Sequence, residues 1–306
     1  MLGVDLGGSY TRALLADAEG REVAAGSCVT PRDGATGVVA AIVDLCRRLA
    51  GEGGIAWERV AALGIGVPGV ADRDSGALQL APNLPPFDGV DLVGAVEVEL
   101  GVRVLADNDV NVATLAEHRH GRGTGRDDFA FVAVGTGVGM GIFAGGRLQR
   151  GASGAAGEIC MLPFGGDPFD PANHVRGTLE EAAAGIGVAR RYAERMGSAP
   201  TDPVDLFAAA AAGDAVAADV LEHQASALAL AVLAIHSVLD PGLIVFGGGL
   251  GSRPDLLAAV RERVARLSRR AIRVEPSVLG ERAGVLGAVE LARDGAATLS
   301  PAGRED

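Results

Sequence analysis

The chain opens with two short apolar runs, residues 2–5 (LGVD) and 11–16 (TRALLA), on either side of LGGSY. That pattern predicts a strand, a tight glycine turn and a second strand. Residues 129–134 and 141–144 flank GTGVGM in the same way, a weak internal repeat of two hairpins. Between them, Val38, Val39, Ile42, Leu45 and Leu49 recur at helical spacing over residues 37–49, which stop at Gly51 and Gly53. An amphipathic helix with a glycine C-cap is expected there. Strand-like runs follow at 60–67 and 102–106, and Asp107, Asn108 and Asp109 open a helical stretch to about Arg119. The second half reads as helix over 178–196, 203–212, 215–239, 255–269 and 284–293, interrupted by the buried-strand run LIVF at 243–246. Strands alternating with helices predict an α/β fold with mainly parallel sheets and hairpin edges.

A length of 306 residues is enough for two domains at about 150 residues each. The expected division is a small N-terminal domain over 1–115, rejoined by a C-terminal helix at about 284–296, and a larger domain over 116–283. A solvated tail over 297–306 completes the chain. The glycines and prolines are spread along the sequence, which excludes collagen-like and disordered chains.

All 27 basic residues are arginine, so chemistry that needs a lysine amine is excluded: no Walker A lysine, Schiff base or pyridoxal enzyme. The net charge of −12 argues against nucleic-acid and acidic-membrane partners, which require a basic surface. Cys28, Cys46 and Cys160 are odd in number and widely spaced, without a CxxC pair, which suits a reducing cytoplasm. The N-terminus lacks a basic leader region, and the longest apolar stretch, 225–235, is too short to span a bilayer. A soluble cytoplasmic protein is expected.

Three turns carry candidate chemistry. Asp5, Gly7, Gly8 and Ser9 place a carboxylate beside bare backbone N–H groups and a hydroxyl, a set that can cradle phosphate while Asp5 holds Mg²⁺ through water. Gly135, Thr136 and Gly137 offer the same chemistry from the second hairpin, and Gly247, Gly248 and Gly249 would let a flat ring lie on backbone. A GxGxxG string at Gly64, Gly66 and Gly69 is followed by a turn, not the helix that a dinucleotide fingerprint requires. Asp107, Asn108 and Asp109 exceed what one helix cap needs, and a carboxylate beside bound triphosphate can take a proton from an attacking hydroxyl.

The order DLGGS, GVPGVAD, PNLP, ADNDVN, GTGVGMG, GAAGE and FGGGLG resembles the ROK family of sugar kinases and repressors, within the superfamily of actin, hexokinase and heat-shock chaperone ATPases. The likeness runs from residue 3 to about 290. It implies two actin-like (ribonuclease H-like) α/β domains with an active-site cleft between them. It further implies ATP as donor and a primary hydroxyl, usually the 6-hydroxyl of a hexose, as acceptor. Asp109 takes the role of base on this resemblance. Nucleotide contacts fall on Asp5, Gly7, Gly8, Ser9, Thr11, Gly135 to Gly137 and Gly247 to Gly249. Acceptor contacts fall on Gly69, Asn83, Asn108, Asp109, Glu158 and Glu180. A homodimer is implied as well.

One part departs from that pattern. The family carries GEIGH, then a CxCGxxGC zinc cluster, then LE; here Gly157, Glu158 and Ile159, and then Leu179 and Glu180, keep their separation while the ligands between them are lost. Met161 stands at the histidine position, and Pro171, Asn173 and Thr178 at the cysteine positions, so no zinc is expected. Thr178 and Glu181 match a capping box that would anchor the helix instead, leaving Glu180 free to face the cleft. The loss of the histidine opens the acceptor to an amino sugar of the kanosamine type or a C7 cyclitol. A repressor would carry a helix-turn-helix before the first glycine turn, which here begins at residue 5, and a sugar-binding pseudokinase would not be expected to keep every phosphate turn. Polyphosphate as donor would call for a more basic surface. His118 and His120 read as solvated, and the arginines over 261–273 as an exposed helix face.

Overall fold

A computed structural model describes residues 1–71, 78–79 and 90–297. Asn83, the PNLP motif and the expected tail beyond 297 lie outside the described residues. The chain forms two compact units: residues 1–120, 150–156 and 282–306 in the first, and 121–149 and 157–281 in the second. Residues 116–120 and 150–156 therefore fall in the first unit, not in the second domain as chain order suggested.

In unit 1, β1 (Leu2–Leu6), β2 (Tyr10–Ala16) and β3 (Glu22–Val29) form an antiparallel meander, and α1 (Ala35–Glu52) follows. Next come β4 (Ala62–Val67), a small hairpin of β5 (Val70–Ala71) and β6 (Leu78–Gln79), α2 (Leu92–Leu100), β7 (Arg103–Asn108) and α3 (Asp109–His120). The main sheet has the order β3-β2-β1-β4-β7, with β1, β4 and β7 parallel.

Strand alternation divides the side chains between the faces of this sheet. Leu2, Val4, Leu6, Ala13 and Leu15 join the core under α1 and α2. Leu14 and Ala16 meet Val285 and Val289 of the C-terminal helix on the other side. Each fully buried Val or Leu contributes about 1.5–3 kcal/mol of transfer free energy.

Unit 2 repeats the plan. β8 (Phe129–Val134), β9 (Val138–Ala144) and β10 (Arg147–Gln149) form the meander. After it come α4 (Thr178–Ala183), α5 (Gly185–Met196), α6 (Pro203–Ala211), α7 (Ala215–Leu239), β11 (Ile244–Gly247), α8 (Gly248–Gly251), α9 (Pro254–Leu267) and β12 (Val274–Pro276). The order β10-β9-β8-β11-β12, with β8, β11 and β12 parallel, matches that of the first sheet strand for strand. The helix expected over 178–196 is thus two helices, because Ala184 is extended (φ −72°, ψ 153°) and Gly185 N–H turns to bond the Gly135 carbonyl at 2.8 Å.

The last helix, α10 (Ala283–Ala297), belongs to unit 1 and lies against β1, β4 and α3. It sits so close that a Cβ on Gly3 would be 2.5 Å from Val289 N, one on Gly64 would meet the Ala288 carbonyl, and one on Gly287 would meet the Val112 carbonyl. Gly64, the first glycine of the GxGxxG string, therefore serves helix packing.

Candidate active site

In unit 1 the chemistry gathers at the carboxyl ends of the parallel strands, where open α/β sheets bind ligands. Register puts Asp5 of β1 opposite Gly66 of β4, and Gly66 opposite Asp107 of β7, so both acids lie on one face with a glycine between them. Asp5 sits under the first turn of α10, so close that a Cβ on Gly284 would lie 2.6 Å from its Cγ. Burial pushes the Asp5 carboxyl above the ordinary carboxylate range, against the opposing charge of Arg12.

The turn after β1 is fixed by Gly7 N–H donating to the Tyr10 carbonyl at 3.1 Å. A Cβ on Gly7 would lie 2.7 Å from that oxygen, so only glycine fits. Gly8 is half-buried and Ser9 exposed. Thr11 cannot reach a phosphate: it is fully buried, its hydroxyl 2.9 Å from that of Thr30.

The acidic junction divides its labour. Asp107 accepts from Asn108 N–H at 2.8 Å, Asn111 Nδ2 at 2.9 Å and Arg150 Nε at 2.5 Å. Asn108 is the helix cap, its Oδ1 accepting from Val110 and Asn111 N–H at 2.9 and 3.1 Å. Its Nδ2 donates to the Gly69 carbonyl at 2.9 Å. Asn108 and the Gly69 carbonyl, both expected to contact the acceptor, are thus bonded to each other. Asp109 stands half-buried at the first position of α3, where the helix dipole favours a carboxylate. Arg150 was missed in the sequence because nothing local marks a partner 43 residues away; Asn111 lies only four residues beyond Asp107, inside the ADNDVN string. His120 is not simply solvated, since its Nε2 lies 2.9 Å from Oε1 of the buried Glu290.

In unit 2 the other two turns meet at the ends of β8 and β11, which pair Ala133 with Gly247. Gly135 N–H closes its turn on the Gly137 carbonyl at 2.9 Å, and Thr136 is exposed. Beside it, Gly248 has φ +79° and a Cβ there would lie 2.5 Å from the Val134 carbonyl, while Gly249 faces open space. Gly248 and Gly249 are both exposed, a bare backbone platform next to the Gly135 turn.

Glu180 underlies that turn, its Oε2 accepting from Val138 N–H at 3.0 Å. Burial pushes its carboxyl up, the Val138 bond and Arg176 oppose this, and Glu181 and Glu158 add to the rise. Cys160 donates its thiol proton to Glu158 Oε2 at 3.5 Å. Burial, then Glu158 and Glu180, push that thiol up to about 12. Glu158, Cys160 and Glu180 thus form one electrostatic neighbourhood.

Residues 1–295 match the ROK family. The chain belongs to the ROK family. A glucokinase of Halalkalibacterium halodurans is 32% identical over 309 residues, 94% of this chain and 92% of its own. The ROK hexokinase structure from Thermus thermophilus gives a TM-score of 0.85 at 30% identity, covering 97% of this chain and 99% of that one. A ROK family glucokinase from Streptomyces griseus, solved with glucose and AMPPNP, gives 0.79 at 30% identity over 96% and 99%. The two matching sheets are the two actin-like domains of the ROK fold.

Against the ROK zinc pattern, the loop between Glu158 and Glu180 is tied by hydrogen bonds. Asn173 Nδ2 donates to the Asp167 carbonyl at 2.8 Å, Asp170 Oδ1 accepts from Ala172 N–H at 2.9 Å, and His174 Nε2 lies 3.1 Å from the Pro168 carbonyl. The capping box does not form. Gly177, at φ +95°, is the N-cap, Thr178 is buried, and the Glu181 carboxylate pairs with Arg190 at 2.6 Å.

Proposed function

We propose that this chain, a sugar kinase, moves the γ-phosphoryl of ATP to a primary hydroxyl of the 6-OH type on a hexose or hexose-like sugar. One observation carries the reading: Asp5 and the glycine turn at the end of β1, and Asp109 at the end of β7, share one carboxyl edge of a parallel sheet. Asp109 takes the proton of the attacking hydroxyl, and Glu158 and Glu180 accept hydrogen bonds from the acceptor's other hydroxyls. Backbone N–H groups of Gly8 and Ser9, and of Thr136 and Gly137, hold phosphate oxygens, those of Gly7 and Gly135 being used to close the turns, while the exposed Gly248 and Gly249 carry the adenosine.

Asp5 fits a hydrated Mg²⁺, which takes one or two carboxylates and completes its shell with water and phosphate. When bound there, the ion draws off charge from the transferring group. Holding acceptor and donor in line supplies most of the rate. Cys160 bonded to Glu158, and Met161 in place of the family histidine, favour an acceptor other than glucose, such as an amino sugar of the kanosamine type or a C7 cyclitol. The protein works in the cytoplasm as a homodimer.

The test is ADP release from Mg·ATP against hexoses, N-acetylhexosamines, amino sugars and C7 cyclitols, with phosphorus NMR of the product. Turnover on one class, with phosphate on the primary hydroxyl, is expected. Silence across the panel from a folded, ATP-binding protein would favour a sugar-binding regulatory pseudokinase.

A further inference from the structure

The first glycine turn is held from beneath by a residue that no motif names. Thr30 follows β3 and is 1% exposed. Its backbone N–H donates to the Ser9 carbonyl at 3.0 Å, and its hydroxyl donates to the Gly7 carbonyl at 2.6 Å. A carbonyl can only accept, so the one hydroxyl proton of Thr30 is committed to Gly7. The bond between the two hydroxyls must then run from Thr11 to Thr30, across 2.9 Å. The chain of bonds has a single polarity, Thr11 to Thr30 to Gly7. A short bond into the Gly7 carbonyl polarises the Gly7–Gly8 amide, and linked hydrogen bonds strengthen one another by roughly 10–30% each. The Gly8 N–H is the other end of that amide and becomes the stronger donor.

We propose that Thr30, driven by Thr11, is a positioning residue for the nucleotide phosphates: it fixes the turn from Gly7 to Ser9 and sharpens the Gly8 N–H toward an anionic oxygen. Neither threonine reaches the phosphates itself, since both are buried: Thr30 acts through the Gly7 carbonyl and Thr11 through the Thr30 hydroxyl. The inference rests on the nucleotide reading of this turn.

The test compares Thr30→Val, which leaves the Gly7 carbonyl without its donor, with Thr30→Ser, which keeps it. The Kd for Mg·ADP by calorimetry and the KM for Mg·ATP should rise about three- to tenfold in Thr30→Val, the worth of one neutral hydrogen bond. The acceptor KM should stay in place and Thr30→Ser should bind nearly as the wild type does. Thr11→Val should give a smaller loss alone and none further on top of Thr30→Val, because a relay is not additive. A Thr30→Val protein that melts lower yet binds Mg·ADP unchanged would overturn the proposal, as would fully additive losses. Should Thr30→Val fail to fold, an unchanged Mg·ADP affinity in Thr11→Val would overturn it. A wild-type protein that binds no adenine nucleotide would instead overturn the nucleotide reading, and this inference with it.

Discussion

Three aspartates stand within one sheet edge of unit 1, and their surroundings give them different work. Asp107 is spent on structure, since its carboxylate holds Arg150, Asn111 and the Asn108 N–H. Replacing Arg150 by Met leaves that buried carboxylate without its cation and should cost about 2 kcal/mol of stability, read by denaturant unfolding. Asp5 bears the opposite strain. Its pKa is raised by burial above the ordinary value of 3.8, so between the unfolded and folded values the native chain binds the extra proton. Stability is then lost as pH rises through that window. Asp5→Asn should raise the thermal midpoint of the ligand-free protein at neutral pH, leave it unchanged near pH 3, and lower turnover. An unchanged midpoint at neutral pH would show that the buried carboxylate carries no such cost. Residues with chemistry at a strand end are legible from sequence because glycines and acids mark the turn. Thr30 and Arg150 are not, because each acts through a partner set by tertiary pairing.

At the scale of elements, the hairpins, their glycine turns and the strands that follow were legible from alternation and punctuation. The break at Ala184 was not: residues 178–196 have helical composition throughout, and only the bond from Gly185 N–H to the Gly135 carbonyl reveals why the helix restarts. The capping box failed because Gly177 takes the N-cap, which puts Thr178 inside the first turn, and the Glu181 carboxylate pairs with Arg190. The turn after β11 is tightly constrained, with Gly248 at φ +79° against the Val134 carbonyl. Gly248→Ala should destabilise unit 2 by roughly 1–3 kcal/mol and weaken Mg·ADP binding, as thermal unfolding and calorimetry would register. Unchanged values for both would show that this backbone can relax without loss.

At the scale of the molecule, one strand order is built twice, and each copy carries glycine turns at the carboxyl ends of its parallel strands. The repeat was visible in the sequence only as two glycine hairpins, because the later strands of each sheet are separated by helices of different number. The close seat of α10 was invisible to periodicity, since it depends on glycines at 3, 64 and 287 facing backbone. Removing residues 283–297 should therefore leave unit 1 without amide-exchange protection while β8 and β11 of unit 2 keep theirs. Equal loss in both units would contradict independent cores. The central claim, that Asp109 is the base of a phosphoryl transfer, is tested most directly by ADP release in Asp109→Asn beside the wild type, with the best acceptor and saturating Mg·ATP. Turnover should fall by about 10²–10⁴-fold while Mg·ADP affinity is kept; turnover within a few-fold of wild type would contradict the account.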